Sequence, residues 1–397
     1  MDQKNPDFLT KGKALALAAT TAVVTANAYY MHPIIGEIAR EFSVGEGAVG
    51  IIPALNQLAL ALGIILLLPL GDRYSNRSLC FIFVGLQTIS MLAMVFAKNI
   101  LLFTTASTLL GFVTIAPYLI PAFASKRVNQ QQLGRVTALL TAGVIFGIIM
   151  ARVGSGILAE AYGWRAVYWL ATVLMITATI TLPFTMQGEK KIPETPGYTY
   201  AGLLLSLFAI ANQNREVLLS ATIQALNFGC FTATWLALAL YLTSPELGYG
   251  VDTVGYLALI GTISVLSTPR IGKWADSVGP RQARIVLSIL QLGGVLLFYP
   301  LGYNAVSIIL PLALINLVGP SIDVTSKMTF LTMEPAIRTR LTTIYTAIMF
   351  VGGGGGSLLG TVTYDKYGWA GTCIILTTAS ATICLLSWIA SKRMEYL

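Results

Sequence analysis

The stretch GKWADSVGPR, residues 272–281, sets Lys273, Asp276 and Arg281 at the end of an apolar run that begins near residue 252. LGDRYSNR, residues 70–77, does the same at the end of the run 48–70, with Asp72, Arg73 and Arg77. At an offset of 204, Asp72 falls on Asp276 and Arg77 on Arg281; at 205, Arg135 falls on Arg340, Thr141 on Thr346, Gly147 on Gly352, Gly163 on Gly368 and Trp164 on Trp369. Working outward from these two loops, the chain reads as two copies of one unit.

Each unit is built for a bilayer. Of 397 residues 55% are hydrophobic and 11% charged, and mean hydropathy is +0.74, outside the balance of a soluble domain. A hydrocarbon core of about 30 Å takes about 20 helical residues to cross. Apolar runs of that length are read at 14–36, 48–70, 79–97, 100–124, 136–159, 165–186, 217–242, 252–271, 283–302, 305–326, 341–363 and 369–391. The expected fold is all-α: twelve transmembrane helices in two pseudo-symmetric six-helix bundles, 1–186 and 214–397, joined by a cytoplasmic linker at 187–213. The linker opens on the polar QGEKKIPETPG, 187–197, and continues as YTYAGLLLSLFAIANQ, 198–213, an apolar run short enough for an interfacial helix or a shifted helix boundary.

Lysine and arginine are retained on the cytoplasmic side of membrane proteins. With both termini inside, the 25 such residues less Arg40, Lys98, Arg165, Lys366 and the intrahelical Arg152 leave 20 in or beside cytoplasmic segments. The net charge of +8 is thus an insertion signal, and nucleic acid is not an expected partner. The opening MDQKNPDFLTKGK is polar, so no removable signal peptide is expected. Cys80, Cys230, Cys373 and Cys384 lie in apolar runs without metal-ligand spacing, so neither a metal site nor a disulfide is expected.

GKWADSVGPR resembles the loop signature of the major facilitator superfamily through Gly272, Asp276, Gly279 and Arg281. The first copy keeps Asp72, Arg73 and Arg77, with Leu68 and Ser75 where the family has glycine. HPIIGEIAREFSV (32–44), GWRAVYWL (163–170) and GRVTALLTAGVIFGIIMARVGSG (134–156) are similar to its bacterial drug:proton antiporter branch. The resemblance implies that these two loops are gates, latching the cytoplasmic side in the outward-open state. A carboxylate at a helix end, held by arginines and a helix N-terminus, suits that role. It also implies tight packing of a glycine-rich fifth helix, Gly143, Gly147, Gly154 and Gly156, although the branch's Gly-Pro pair is missing. Gly352 to Gly356 occupy the matching level of the second copy, as close-packing or hinge residues. Without a following Lys-Ser or Lys-Thr they form no phosphate loop. The branch's fourth-helix arginine is absent: Ser107 stands four residues before Gly111.

Ionisable residues at membrane depth are functional candidates. Arg152 would bind an anionic substrate group, pair with Glu37, take part in proton coupling, or snorkel to the outer headgroups. Asp323, one turn before Lys327, is either a local ion pair or the carboxylate that carries a proton. His32 is the chain's single histidine; with an ordinary pKa near 6.5 it suits proton coupling, unless it sits at the outer interface. Asn27, Tyr29, Tyr30, Asn56, Gln57, Gln224, Asn227, Phe231, Trp235, Asn316, Tyr345 and Phe350 are candidate cavity residues, and each is equally readable as helix-packing glue.

The leading expectation is a monomeric secondary transporter in the bacterial cytoplasmic membrane, working by alternating access. It would export small amphipathic organic compounds against inward protons and need no cofactor. Uptake of a small polar or anionic metabolite by symport or uniport is the alternative, and a lipid-handling or receptor-like protein the third. No nucleophile or metal constellation points to an enzyme.

Overall fold

The structure, a computed structural model, describes residues 9–187, 200–331 and 335–392. Among these residues there is no strand, and eleven helices are long and apolar enough to cross a membrane. They are α1 (Lys11–Glu41), α2 (Glu46–Asp72), α3 (Asn76–Val95), α4 (Ile100–Ser125), α5 (Gln131–Tyr162), α6 (Trp164–Thr185), α8 (Arg215–Leu242), α9 (Val251–Val278), α10 (Pro280–Leu301), α11 (Ile309–Phe330) and α12 (Ile337–Lys392). The short α7 (Tyr200–Gln213) precedes α8. At 56 residues α12 is far longer than one crossing needs. Its helical geometry breaks at Gly368 (φ 61°, ψ −160°), so it is long enough for two crossings, which makes twelve among the described residues.

Gly163 and Gly368, 205 apart, sit at equivalent turns with φ of +78° and +61°, a region costly for residues carrying a Cβ. In each case a tryptophan opens the next helix. Trp164 meets Phe103 edge-on at 5.5 Å, and Trp369 donates Nε1–H to the Phe298 carbonyl at 3.2 Å. Caps set the starts of the first copy's helices: Ser75 accepts from Ser78 N–H at 3.0 Å and Asn99 from Leu102 N–H at 2.8 Å.

Lipid tails are as apolar as leucine, so close packing of small residues has to join the helices. A Cβ at Gly143 or Gly147 would strike the Ala18 or Ala22 carbonyl of α1, and one at Gly352 or Gly356 the Ala225 or Gly229 carbonyl of α8. Residues 352–356 stay helical here; Gly352, Gly353, Gly354 and Gly356 are packed against neighbouring helices, whereas Gly355 has nothing within 4 Å. Gly156 lies against Val251 and Gly255 of α9. The expectation fails at Gly154, where nothing lies within 4 Å; it borders an apolar groove of about 650 Å³ between α1, α5 and α6. The expected linker stretch 187–197 lies, beyond Gln187, outside the described residues.

The two ends of the bundle differ. At the end carrying the 42–45 and 243–250 turns, one core runs through both sets of six helices, joining Ile34, Ile52 and Trp164 to Trp235, Leu240 and Val254. Toward the other end the core divides. Leu17, Leu79 and Phe123 of the first set form one cluster, which Ala347 and Phe350 of α12 join at its edge, and Val217, Phe330 and Leu341 form a separate one of the second set. Helices α5 and α9 touch from Gly156–Gly255 to Ile149–Gly261, whereas Gly134 and Gly272 further along have nothing within 4 Å. The two sets are closed at one end and parted at the other.

Candidate functional site

Just inside the closed end, α1 is interrupted by a turn at 27–30. Pro33 is the cause: it has no N–H for the Tyr29 carbonyl, and its ring crowds that group. The carbonyl accepts instead from His32 N–H at 3.2 Å. The turn sends its two tyrosines different ways. Tyr29 faces the interior, while Tyr30 lines the groove beside α5 and α6 and so leaves the expected cavity set.

Tyr29 forms one wall of a box around Arg152. The guanidinium carbon is 5.2 Å from the ring centroid of Tyr29, 4.5 Å from Phe231 and 4.6 Å from Trp235. α5 supplies the cation, α1 one ring, and one turn of α8 the other two. Arg152 is 3% exposed, which excludes snorkelling. Among the described residues it forms no ion pair; Glu37 Oε2 is itself buried without a partner. Nε and Nη2 are likewise buried without hydrogen-bond partners. Three ring faces at about 0.5–2 kcal/mol each offset part of the several kcal/mol that desolvating a cation costs, but they accept none of the hydrogen bonds that Nε and Nη2 lack. His32 stands beside the box, edge-on to Tyr29 at 5.4 Å. It is 1% exposed, with neither ring nitrogen bonded, so the outer-interface reading fails. Gln57 Oε1 and Asn27 Oδ1 are also buried and unbonded, while Asn27 Nδ2 reaches Met175 Sδ at 3.1 Å.

A second polar cluster lies in α8, α10, α11 and α12, toward the parted end. Asp323 accepts from Lys327 Nζ at 2.7 Å and from the Tyr345 hydroxyl at 2.8 Å. The local ion pair is therefore present, and Tyr345 serves it instead of a cavity wall. Arg284 is fully buried and donates to Ser220 Oγ at 2.9 Å and Ser326 Oγ at 3.4 Å, leaving Nε and Nη2 unbonded.

Several expected cavity amides are instead structural. Asn56 donates to the Ser107 carbonyl at 2.7 Å, tying α2 to α4 where Gly111 admits the Asn56 backbone. Asn227 bridges Gln224 Oε1 and the Gly319 carbonyl at 3.0 Å each, and Asn316 donates to Leu312 of its own helix at 2.8 Å. Phe350 meets Phe228 edge-on at 5.5 Å, and Phe228 stacks on Phe231 at 5.7 Å, extending the aromatic wall.

The expected gate loops lie at the parted end. Asp72, Arg73, Arg77 and Asp276 are exposed, and among the described residues neither carboxylate is in an ion pair. Gly279 turns with φ +94° and Gly272 has open space beside it. Arg281 pairs with Glu216 at 3.3 Å and not with Asp276. Neither latch carboxylate, Asp72 nor Asp276, is held by an ion pair among the described residues in this arrangement. Carboxylates do meet helix N-termini at the closed end, a feature the sequence reading missed. Glu160 of α5 accepts from Val251 N–H at 3.0 Å, at the start of α9. Asp365, 205 residues on, lies against Gly47 at the start of α2, and the Thr361 hydroxyl donates to the Gly47 carbonyl at 3.2 Å. The same offset carries Gly45 onto Gly250, so the repeat held this signal.

The sequence profile described as Major Facilitator Superfamily matches residues 17–332. The chain belongs to the Major Facilitator Superfamily. It is 27% identical, over 98% of both chains, to the protein named "Uncharacterized transporter YgaY" of Escherichia coli O157:H7. With the Multidrug resistance protein MdtG of Citrobacter koseri it shares 27% identity over 55% of this chain and 53% of that one. In fold it is similar to a bacterial homolog of the human lysosomal transporter Spinster, solved inward-facing and occupied (TM-score 0.76, 12% identity, 96% of each chain). It is also similar to the nucleoside transporter NupG (TM-score 0.71, 13% identity, 95% and 98%). This superfamily member is a multi-pass membrane transporter.

Proposed function

We propose that the chain exports small amphipathic organic compounds against an inward flow of protons, by alternating access. One observation carries the reading: the two sets of helices are joined through a continuous core at one end and parted at the other, with the aromatic box on their seam. A solute entering from the parted end meets aromatic and amide surface. If the halves then close behind it and open ahead, it crosses without a continuous pore. The distribution of lysine and arginine supports placing the parted end, and both termini, in the cytoplasm of a bacterium. Asp323, bordering the parted end within reach of Lys327 and Tyr345, is the carboxylate assigned to the proton. His32 is the second group, and the gate loops close the cytoplasmic side in the other state.

Reconstituted vesicles test this reading. Under an imposed pH gradient, a fluorescent amphipath is expected to move uphill, opposite to the protons, and to stop when a protonophore collapses the gradient. Flux in the proton's direction would replace export with symport. Downhill flux alone would remove the coupling.

A further inference from the structure

We infer that the solute carried by this protein is an organic anion, one carboxylate, sulfonate or phosphonate on a flat apolar body, whose charge pairs with Arg152 between Tyr29, Phe231 and Trp235. The inference rests on the transport reading and names its substrate class.

The argument is one of charge balance. A guanidinium at membrane depth needs a counter-charge or hydrogen-bond acceptors, and the described structure supplies neither: Arg152 forms no ion pair, and Nε and Nη2 are unbonded. The protein's own candidates are elsewhere. Glu37, although its Oε2 is buried without a partner, makes no ion pair with Arg152; Asp323 is occupied by Lys327 and Tyr345, Glu41 by Arg165 at 2.6 Å and Glu216 by Arg281, while Glu160 is turned to the Val251 amide. Arginine presents its donors as a planar fork matched to carboxylates and similar oxyanions.

The surroundings select the rest of the molecule. The three rings contribute apolar faces that would strip water from an incoming group, and Phe228, stacked on Phe231, continues that surface toward Phe350. A hydrated inorganic anion gains nothing from such walls; an aromatic or alkyl anion does. A lipophilic cation is repelled by Arg152 and meets no free carboxylate at the box. The site also bridges the halves, Arg152 and Tyr29 from the first set and Phe231 and Trp235 from the second. A bound anion therefore touches both bodies that must move.

The test compares 1-naphthoate, neutral 1-naphthamide and cationic 1-naphthylmethylammonium, shape-matched, by thermal stabilisation of the purified full-length protein and by tryptophan fluorescence. Naphthoate is expected to bind at least about tenfold tighter than the amide, and the ammonium most weakly. Arg152→Gln should weaken naphthoate about 10- to 100-fold, the cost of losing a charged hydrogen bond, while sparing the amide; Arg152→Lys should lie between. Equal binding of all three, a preference for the cation, or unaltered naphthoate binding in Arg152→Gln would overturn the inference. So would complete displacement of naphthoate by millimolar chloride, which would make the box an inorganic anion site. If Arg152→Gln does not fold, the wild-type ranking and Arg152→Lys decide. Naphthoate bound but never moved in vesicles removes the transport reading and keeps the anion site. Transport of cationic amphipaths with no naphthoate binding does the reverse.

Discussion

Replacing both Glu160 with Gln and Asp365 with Asn should loosen the closed end. Glu160 accepts from Val251 N–H at 3.0 Å, and Asp365 lies against Gly47 across the same seam. The N-caps behind these helix starts, Gly250 and Gly45, carry no side chain to do the job. A carboxylate near a helix N-terminus contributes about 0.3–1 kcal/mol. An amide still accepts a hydrogen bond, so each substitution removes mainly that charge contribution. The two sites share no partner and should add, giving about 0.6–2 kcal/mol and, at about 1.4 kcal/mol per decade, a roughly 3- to 30-fold larger population open at this end. The assay is alkylation of Val254→Cys, a fully buried position of the shared core, by an impermeant maleimide in a background lacking the four native cysteines. When opening and closing are fast, the labelling rate follows the open population. A 3- to 30-fold faster rate in the double variant is expected, with each single variant contributing part. An unchanged rate would refute the view that these carboxylates hold this end shut.

Gly147→Ala should lower the apparent melting temperature, because the new Cβ meets the Ala22 carbonyl and overpacking costs about 1–3 kcal/mol; Gly154→Ala, with open space, should be neutral or mildly stabilising. Asp323→Asn should abolish proton-coupled flux while leaving naphthoate affinity within about twofold, measured as pH-jump uptake beside binding, since Asp323 is bonded to Lys327 and Tyr345 and not to Arg152; retained coupling would clear it of the role. Asp276→Asn removes a carboxylate that is in no ion pair among the described residues here, so it should favour the present arrangement by up to about 1 kcal/mol, read as slower maleimide labelling of Val254→Cys.

How much could be read from the chain differs by scale. The crossings were legible because a twenty-residue apolar helix has few homes outside a bilayer. Gly163 and Gly368 announced their shared turn, with tryptophan after each. Asp323 and Lys327 were readable as a pair because four residues on a helix is one turn. Sequence spacing stops at the level of faces. The interruption made by Pro33 decides that Tyr29 looks inward and Tyr30 toward the groove, and no helical periodicity carries that. Asn56 looked like cavity lining because its partner, the Ser107 backbone, arrives from 51 residues away. Arg284 was passed over because a cation near a span's start reads as a boundary charge; α10 begins at Pro280, which leaves it one turn inside and fully buried. The walls around Arg152 come from α1 and α8, so the cation was visible and its box was not.

The account's central claim is that the two sets of six helices exchange which end is closed around a bound solute. Spin-label distances measured on one sample set test it most directly: Gln132 to Lys273 across the parted end, and Tyr162 to Glu246 across the closed end, all exposed positions on α5, on α9 and on the turn before α9. With substrate and a pH change, the first distance should shorten as the second lengthens, in matched populations. A second distance that stays fixed under every ligand and pH, while the first alone varies, would contradict alternating access.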